Sequence, residues 1–140
     1  MTYDPDNPFA RILRGESSCI KVCETDTELA IMDIMPQADG HVLVIPKEAA
    51  ADIFELSNNS LVSCMRTAQQ IAVAIRAALR PDGVAIMQFN GSAAGQTVAH
   101  LHFHIIPRWA GQPLRPHARV PTEPATLESL AQRIRAQLPP

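Results

Sequence analysis

The segment His100-Leu101-His102-Phe103-His104-Ile105-Ile106 constrains this chain more than any other, because imidazole alternates with an apolar side chain along it. A period of two is the pattern of a β-strand, in which successive side chains leave opposite faces. Residues 99–106 are therefore predicted to form a strand. His100, His102 and His104 take one face; Leu101, Phe103 and Ile105 take the other. At a rise of about 3.3 Å per residue, neighbouring imidazoles stand about 6.6 Å apart and the outer two about 13 Å. Metal–nitrogen bonds of about 2.0–2.1 Å cannot gather all three on one ion along a straight strand. A metal site needs two of them plus outside ligands, and no second cluster at ligand spacing is visible. The other readings are a histidine face that works as nucleophile, proton donor and phosphate ligand, or a merely polar strand face.

The remaining elements follow from punctuation and periodicity. Asn7-Pro8 is a helix start, a capping side chain followed by proline at the first helical position. Phe9, Ile12 and Leu13 share a face of this short helix, and Gly15 ends it. Strands are predicted over 19–23, 28–34, 41–45 and 84–89. Leu61, Met65, Ala68, Ile71, Ala72, Ile75 and Leu79 recur at steps of three and four, which makes a long helix after the caps at 57–60. Pro107, Pro113, Pro116, Pro121 and Pro124 are expected to keep 107–125 irregular, with Thr126 capping a final helix. Hairpin-joined strands and one long helix give an α+β chain with a mainly antiparallel sheet.

Composition narrows the function. A chain of 140 residues with 46% hydrophobic and 19% charged residues is one globular domain rather than a disordered chain. Twelve Lys+Arg against fourteen Asp+Glu leave a formal charge of −2, without the cationic footprint of a nucleic-acid binder. No stretch approaches the roughly 18 apolar residues of a membrane span, and Met1-Thr2-Tyr3-Asp4-Pro5-Asp6 is unlike a secretory signal. Cys19, Cys23 and Cys64, an odd count without framework spacing, suit reduced thiols in a cytoplasm.

Upstream of the histidines lies Asn90-Gly91-Ser92-Ala93-Ala94-Gly95-Gln96-Thr97. It fails as a P-loop, being one residue short and carrying Gln96 where lysine must stand. A glycine-containing loop beside the histidine strand can still aim backbone N–H groups at an anion.

These features together resemble the histidine triad (HIT) family of nucleotide-binding hydrolases and transferases, in its Hint-like branch. His100 to Ile106 matches the signature of three histidines separated by apolar residues, followed by two apolar positions. The loop matches at Asn90 and at Gly95-Gln96-Thr97-Val98. Asp33-Ile34-Met35-Pro36-Gln37-Ala38-Asp39-Gly40-His41-Val42-Leu43-Val44-Ile45-Pro46-Lys47 resembles a further block, and the similarity runs colinearly over residues 7–107. The resemblance implies a HIT domain over 1–110, with a five-stranded antiparallel sheet, and a proline-rich extension plus final helix over 111–140.

The resemblance also implies roles. His102 would attack the α-phosphorus of a purine nucleotide substrate, giving a covalent nucleotidyl-histidine that water hydrolyses. Its other nitrogen would hold a proton against a backbone carbonyl. His104 and Thr97 would sit near the phosphate and leaving group, with Gln96 close by. His100 and His41 would orient His102. Asp33 would accept from ribose hydroxyls, Asn90, Gly95 and Val98 would line the pocket, and Phe9, Ile12, Ile31 and Ile34 would hold the base. The reaction expected is hydrolysis of purine nucleoside phosphoramidates or related nucleotidyl compounds. Alternatives are a dinucleoside polyphosphate hydrolase, a nucleotide-binding regulator, and a His-ligated metal enzyme. A homodimer through the long helix and fourth strand is expected, with Met65 and Ile71 at the contact. Many bacterial relatives carry Cys-x-x-Cys near the N-terminus as part of a structural zinc site, whereas Asn7-Pro8-Phe9-Ala10 stands there, so no metal and no cofactor is expected. Trp109 caps the site or packs on the sheet, and His117 is given no role.

Overall fold

The structure, a computed structural model, describes residues 1–140. The chain runs α1 (Pro8–Leu13), β1 (Lys21–Glu24), β2 (Glu28–Met32), β3 (Val42–Pro46), α2 (Asn58–Leu79), β4 (Gly83–Met87), β5 (Phe103–Arg108) and α3 (Pro124–Arg135). The five strands form one antiparallel sheet in the order β1-β2-β3-β5-β4. α1 begins as its sequence directs: the Asn7 side chain accepts from the N–H groups of Phe9 and Ala10, and Pro8 needs no donor partner there. No helix is long and apolar enough to cross a membrane.

Alternation along the strands splits the sheet into two faces. Ala30, Met32, Val42, Val44, Phe103 and Ile105 pack with Ile71 and Ile75 of α2 and Leu127 and Ile134 of α3 in the main core. Leu29, Ile31, Leu43 and Ile45 form a smaller cluster with Phe9 on the opposite face. A polar anchor ties β2 to α2: the Thr67 hydroxyl donates to Glu28 Oε1 at 2.6 Å and the Ser63 hydroxyl to both carboxylate oxygens at 2.9 Å.

Four expectations shift. The fifth strand begins at Phe103, not residue 99, because its pairing with β3 ends at Val44↔Phe103. Before that point the chain bonds to a loop instead, with Leu101 N–H donating to Ala50 O at 2.9 Å. Pro107 lies within β5, where β3 has already ended and only β4 pairs with it, at Val84. The final helix starts at Pro124, with Glu123 rather than Thr126 at its N-cap. Ile71 is fully buried in the core, so of the two expected dimer-contact residues only Met65, 41% exposed, reaches the surface.

Candidate active site

A cavity of about 380 Å³ opens on the sheet face away from α2. Phe9, Ile12, Ile31, Asp33, Ile34, Thr97, Val98, His102 and His104 line it. Pro8 joins them from α1 and Met35 from the loop after β2, and His117 and Ala118 arrive from the chain after β5. Only His104 of the three histidines sits in regular β-structure, yet the rings stay together. The centres of His102 and His104 are 4.8 Å apart, and Phe9 lies edge-on to His102 at 4.8 Å and to His100 at 6.4 Å. Leu101, Phe103 and Ile105 enter the main core on the other side.

The hydrogen bonds assign the protons. His102 Nδ1 is 2.7 Å from the carbonyl oxygen of His100, which can only accept. The ring therefore carries its proton on Nδ1, and Nε2 keeps its lone pair at the cavity. His100 meets His102 through this carbonyl. Its own ring donates from Nε2 to Pro46 O at 2.8 Å and accepts at Nδ1 from the Tyr3 hydroxyl at 2.8 Å. Gln37 N–H donates to His41 Nδ1 at 3.1 Å, so the His41 proton lies on Nε2 and is given to His104 Nδ1 at 2.9 Å. A neutral His104 must then carry its proton on Nε2, an atom that is buried and has no protein partner. His41 thus positions His104.

Burial sets the charge states. It is the largest influence on all three inner rings, and it lowers His102 to about 4, His41 to about 3 and His104 to about 2. Each is a neutral imidazole at neutral pH, as a nucleophile must be. Burial raises Asp33, opposed by the Met35 N–H at 2.9 Å and by nearby His117.

Other expected site residues lie outside the cavity wall. The Gln96 side chain is 3% exposed and turned into its loop, accepting from Gly91 N–H and donating to Ala51 O and Val98 O. Asn90 Oδ1 accepts from Ile53 N–H at 2.8 Å. Gly95 takes φ 104° beneath Phe89, which an L side chain rarely adopts. These residues shape the loop so that Thr97 and Val98 face the cavity, and the backbone N–H groups of those two donate to no protein acceptor. Trp109 lies in a separate surface groove with Leu79 and Leu130.

Asp33, His41 and His104 bring ligand atoms within 4.8 Å of one another. The two imidazole nitrogens are only 2.9 Å apart, whereas ligands around a tetrahedral zinc stand roughly 3.3 Å apart. The arrangement is a hydrogen-bonded pair, and a metal there would have to break it.

Fold and histidine cluster together define a histidine-triad domain: an antiparallel α+β sheet with a neutral imidazole nitrogen presented to a cavity. The family model for the HIT domain matches residues 14–111. Adenosine 5'-monophosphoramidase hnt1 of Schizosaccharomyces pombe is 38% identical over 118 residues, covering 77% of this chain and 86% of the relative. Adenylylsulfatase HINT3 of Arabidopsis thaliana is 36% identical, covering 99% of this chain and 74% of its own length. The crystal structure of a Hit-like protein involved in cell-cycle regulation from Bartonella henselae superimposes with a TM-score of 0.93 at 44% identity, covering 99% of this chain and 100% of that one. The chain belongs to the HIT family.

Proposed function

We propose that this protein is a hydrolase of purine nucleoside phosphoramidates and related nucleotidyl compounds, releasing the nucleoside monophosphate. The observation that carries the reading is the His102 ring, held by the His100 carbonyl with its Nε2 lone pair at the cavity. That nitrogen attacks the α-phosphorus, the leaving group departs, and water then cleaves the nucleotidyl-histidine. The N–H groups of Thr97 and Val98 suit charge on phosphoryl oxygens, and the Nε2–H of His104 suits the atom that leaves or attacks there. Asp33 suits ribose hydroxyls, and Phe9, Ile12, Ile31 and Ile34 suit the base. Gln96, Asn90 and Gly95 act through the loop they hold. The relatives' names support an adenylyl group joined through nitrogen in one case and to sulfate in the other.

The test is turnover of adenosine phosphoramidate followed by phosphorus NMR. The reading predicts AMP as the product. Tight AMP binding with no turnover of phosphoramidate, adenylyl sulfate or dinucleoside polyphosphate would make the protein a regulator instead.

The assembly we propose is a homodimer. Val62, Met65 and Val73 of α2 and Ile86 of β4 are 56%, 41%, 53% and 44% exposed, beside an edge strand with no partner on its outer side. We place the protein in the cytoplasm, where its three free cysteines stay reduced.

A further inference from the structure

Residues 109–123 return from β5 across the cavity along fixed contacts. Arg115 N–H donates to Gln37 O at 2.8 Å, and Thr122 N–H donates to Ile34 O at 3.0 Å. The Arg115 guanidinium pairs with Asp39 at 2.8 Å. Between these anchors Ala118 takes φ 52°, in the left-handed region, and His117 and Ala118 become part of the cavity wall. Its anchors and the two residues in the cavity wall, Arg115 to Thr122, lie beyond residue 111, where the family match ends.

The His117 ring centre is 5.6 Å from that of His104 and 6.3 Å from that of Phe89. Gln37 donates its amide N–H to Arg115 O at 3.4 Å, which turns its oxygen toward His117 Nδ1 at 3.5 Å. That oxygen can accept a hydrogen bond from His117 Nδ1. The Nε2 atoms of His117 and His104 are both buried, and neither has a hydrogen-bond partner in the protein. Buried polar atoms nearly always have one, so two neighbouring exceptions beside the reactive nitrogen call for a ligand. One atom making two hydrogen bonds of about 2.9 Å bridges nitrogens up to about 5.8 Å apart, a reach open to neighbouring rings whose centres are 5.6 Å apart.

We propose that His117 is a further catalytic residue: with His104 it holds the atom exchanged at phosphorus and carries its proton. The proposal rests on the nucleotidyl-transfer reading above. In the first step His102 Nε2 bonds to phosphorus as the bond to the leaving nitrogen or oxygen breaks. His117, protonated at Nε2, gives that proton to the departing atom. In the second step a water oxygen bonds to phosphorus, and the phosphorus–His102 bond breaks with its electron pair returning to Nε2. The water's proton passes to His117 Nε2, which restores the starting state.

The test compares wild type, His117→Ala and His117→Gln on adenosine phosphoramidates and esters whose leaving groups span a wide range of pKa. It measures kcat, KM and the fraction of enzyme carrying a nucleotidyl group after acid quench. Losing a proton-transfer group costs roughly 10²-fold or more in kcat. The account predicts that loss in both variants, largest for the most basic leaving groups. With the most acidic leaving groups the nucleotidylated fraction rises, and Gln restores KM without restoring kcat. Thermal melting checks folding; if the Ala variant unfolds, the Gln variant decides. Rates within threefold of wild type overturn the proposal. So does a loss uniform across leaving groups with an unchanged nucleotidylated fraction, which would make His117 a packing residue. If wild type is neither nucleotidylated nor active, the nucleotidyl-transfer reading itself fails; wild-type activity with unaffected variants removes His117 alone.

Discussion

The two faces of the sheet are built from the same strands and do different work. Facing α2 and α3, every other residue enters an apolar core of 19 buried residues. Facing the cavity, the intervening residues form a cluster of only 5 and give way to His102 and His104. The first face carries closely packed hydrocarbon. The second carries neutral imidazoles, and His104 there has a buried nitrogen without a protein partner, as does His117 from the chain after β5. A period of two lets adjacent residues serve stability and chemistry separately, so neighbours along the chain should fail in different ways.

The sharpest contrast lies between residues 102 and 103. His102→Ala should cut kcat on the order of 10⁴–10⁶-fold, as loss of a nucleophile does, while thermal melting shifts little. Phe103→Ala should cost about 3–5 kcal/mol of unfolding free energy, and the folded fraction should keep its kcat. Urea melts and steady-state kinetics on the pair measure both, and a Phe103→Ala protein of full stability would break the comparison.

Acid should act on the cavity face. His102, His41 and His104 are depressed to about 4, 3 and 2 from an ordinary value of 6.5. Below pH 6.5 the unfolded chain binds protons that the folded one refuses. Stability is therefore complete above that pH and declines as pH falls toward the folded values, by about 1.4 kcal/mol per pH unit for each ring. Urea midpoints between pH 7 and pH 5 measure the slope. Phe103→Ala should shift that curve downward without changing its slope, whereas His41→Ala should flatten it.

A smaller effect is expected at Gly40, just before His41. Its φ is 96°, and a Cβ there would clash with Leu79 Cδ1 and meet Pro107 Cγ at 3.2 Å. Gly40→Ala should cost about 1–3 kcal/mol and lower activity by disturbing the His41–His104 bond, read by melting and by kcat.

Local rules carried much of this architecture. Asn7-Pro8 marks α1 because a cap and a proline act within one turn. Alternation from 100 to 106 separates imidazoles from core residues even where no ladder forms, since Leu101 packs inward while bonding to Ala50. The start of β5 was not legible locally, because it depends on where the ladder with β3 ends, at Val44, although β3 itself runs on to Pro46. Gln96 reads as a pocket residue by its place in the loop, but three hydrogen bonds to backbone turn its side chain inward. His117 is the largest omission. Its approach depends on contacts such as Arg115 N–H to Gln37 O, between residues 78 apart in the chain, and a proline-rich tail gives no local sign of them.

The central claim is a covalent bond at one atom, His102 Nε2. Enzyme mixed briefly with adenosine phosphoramidate and quenched should gain the mass of one adenylyl group, and proteolysis should place it on the peptide containing residue 102. An adenylyl group found on another residue, or AMP released in rapid turnover with no adenylylated enzyme at any quench time, would contradict it.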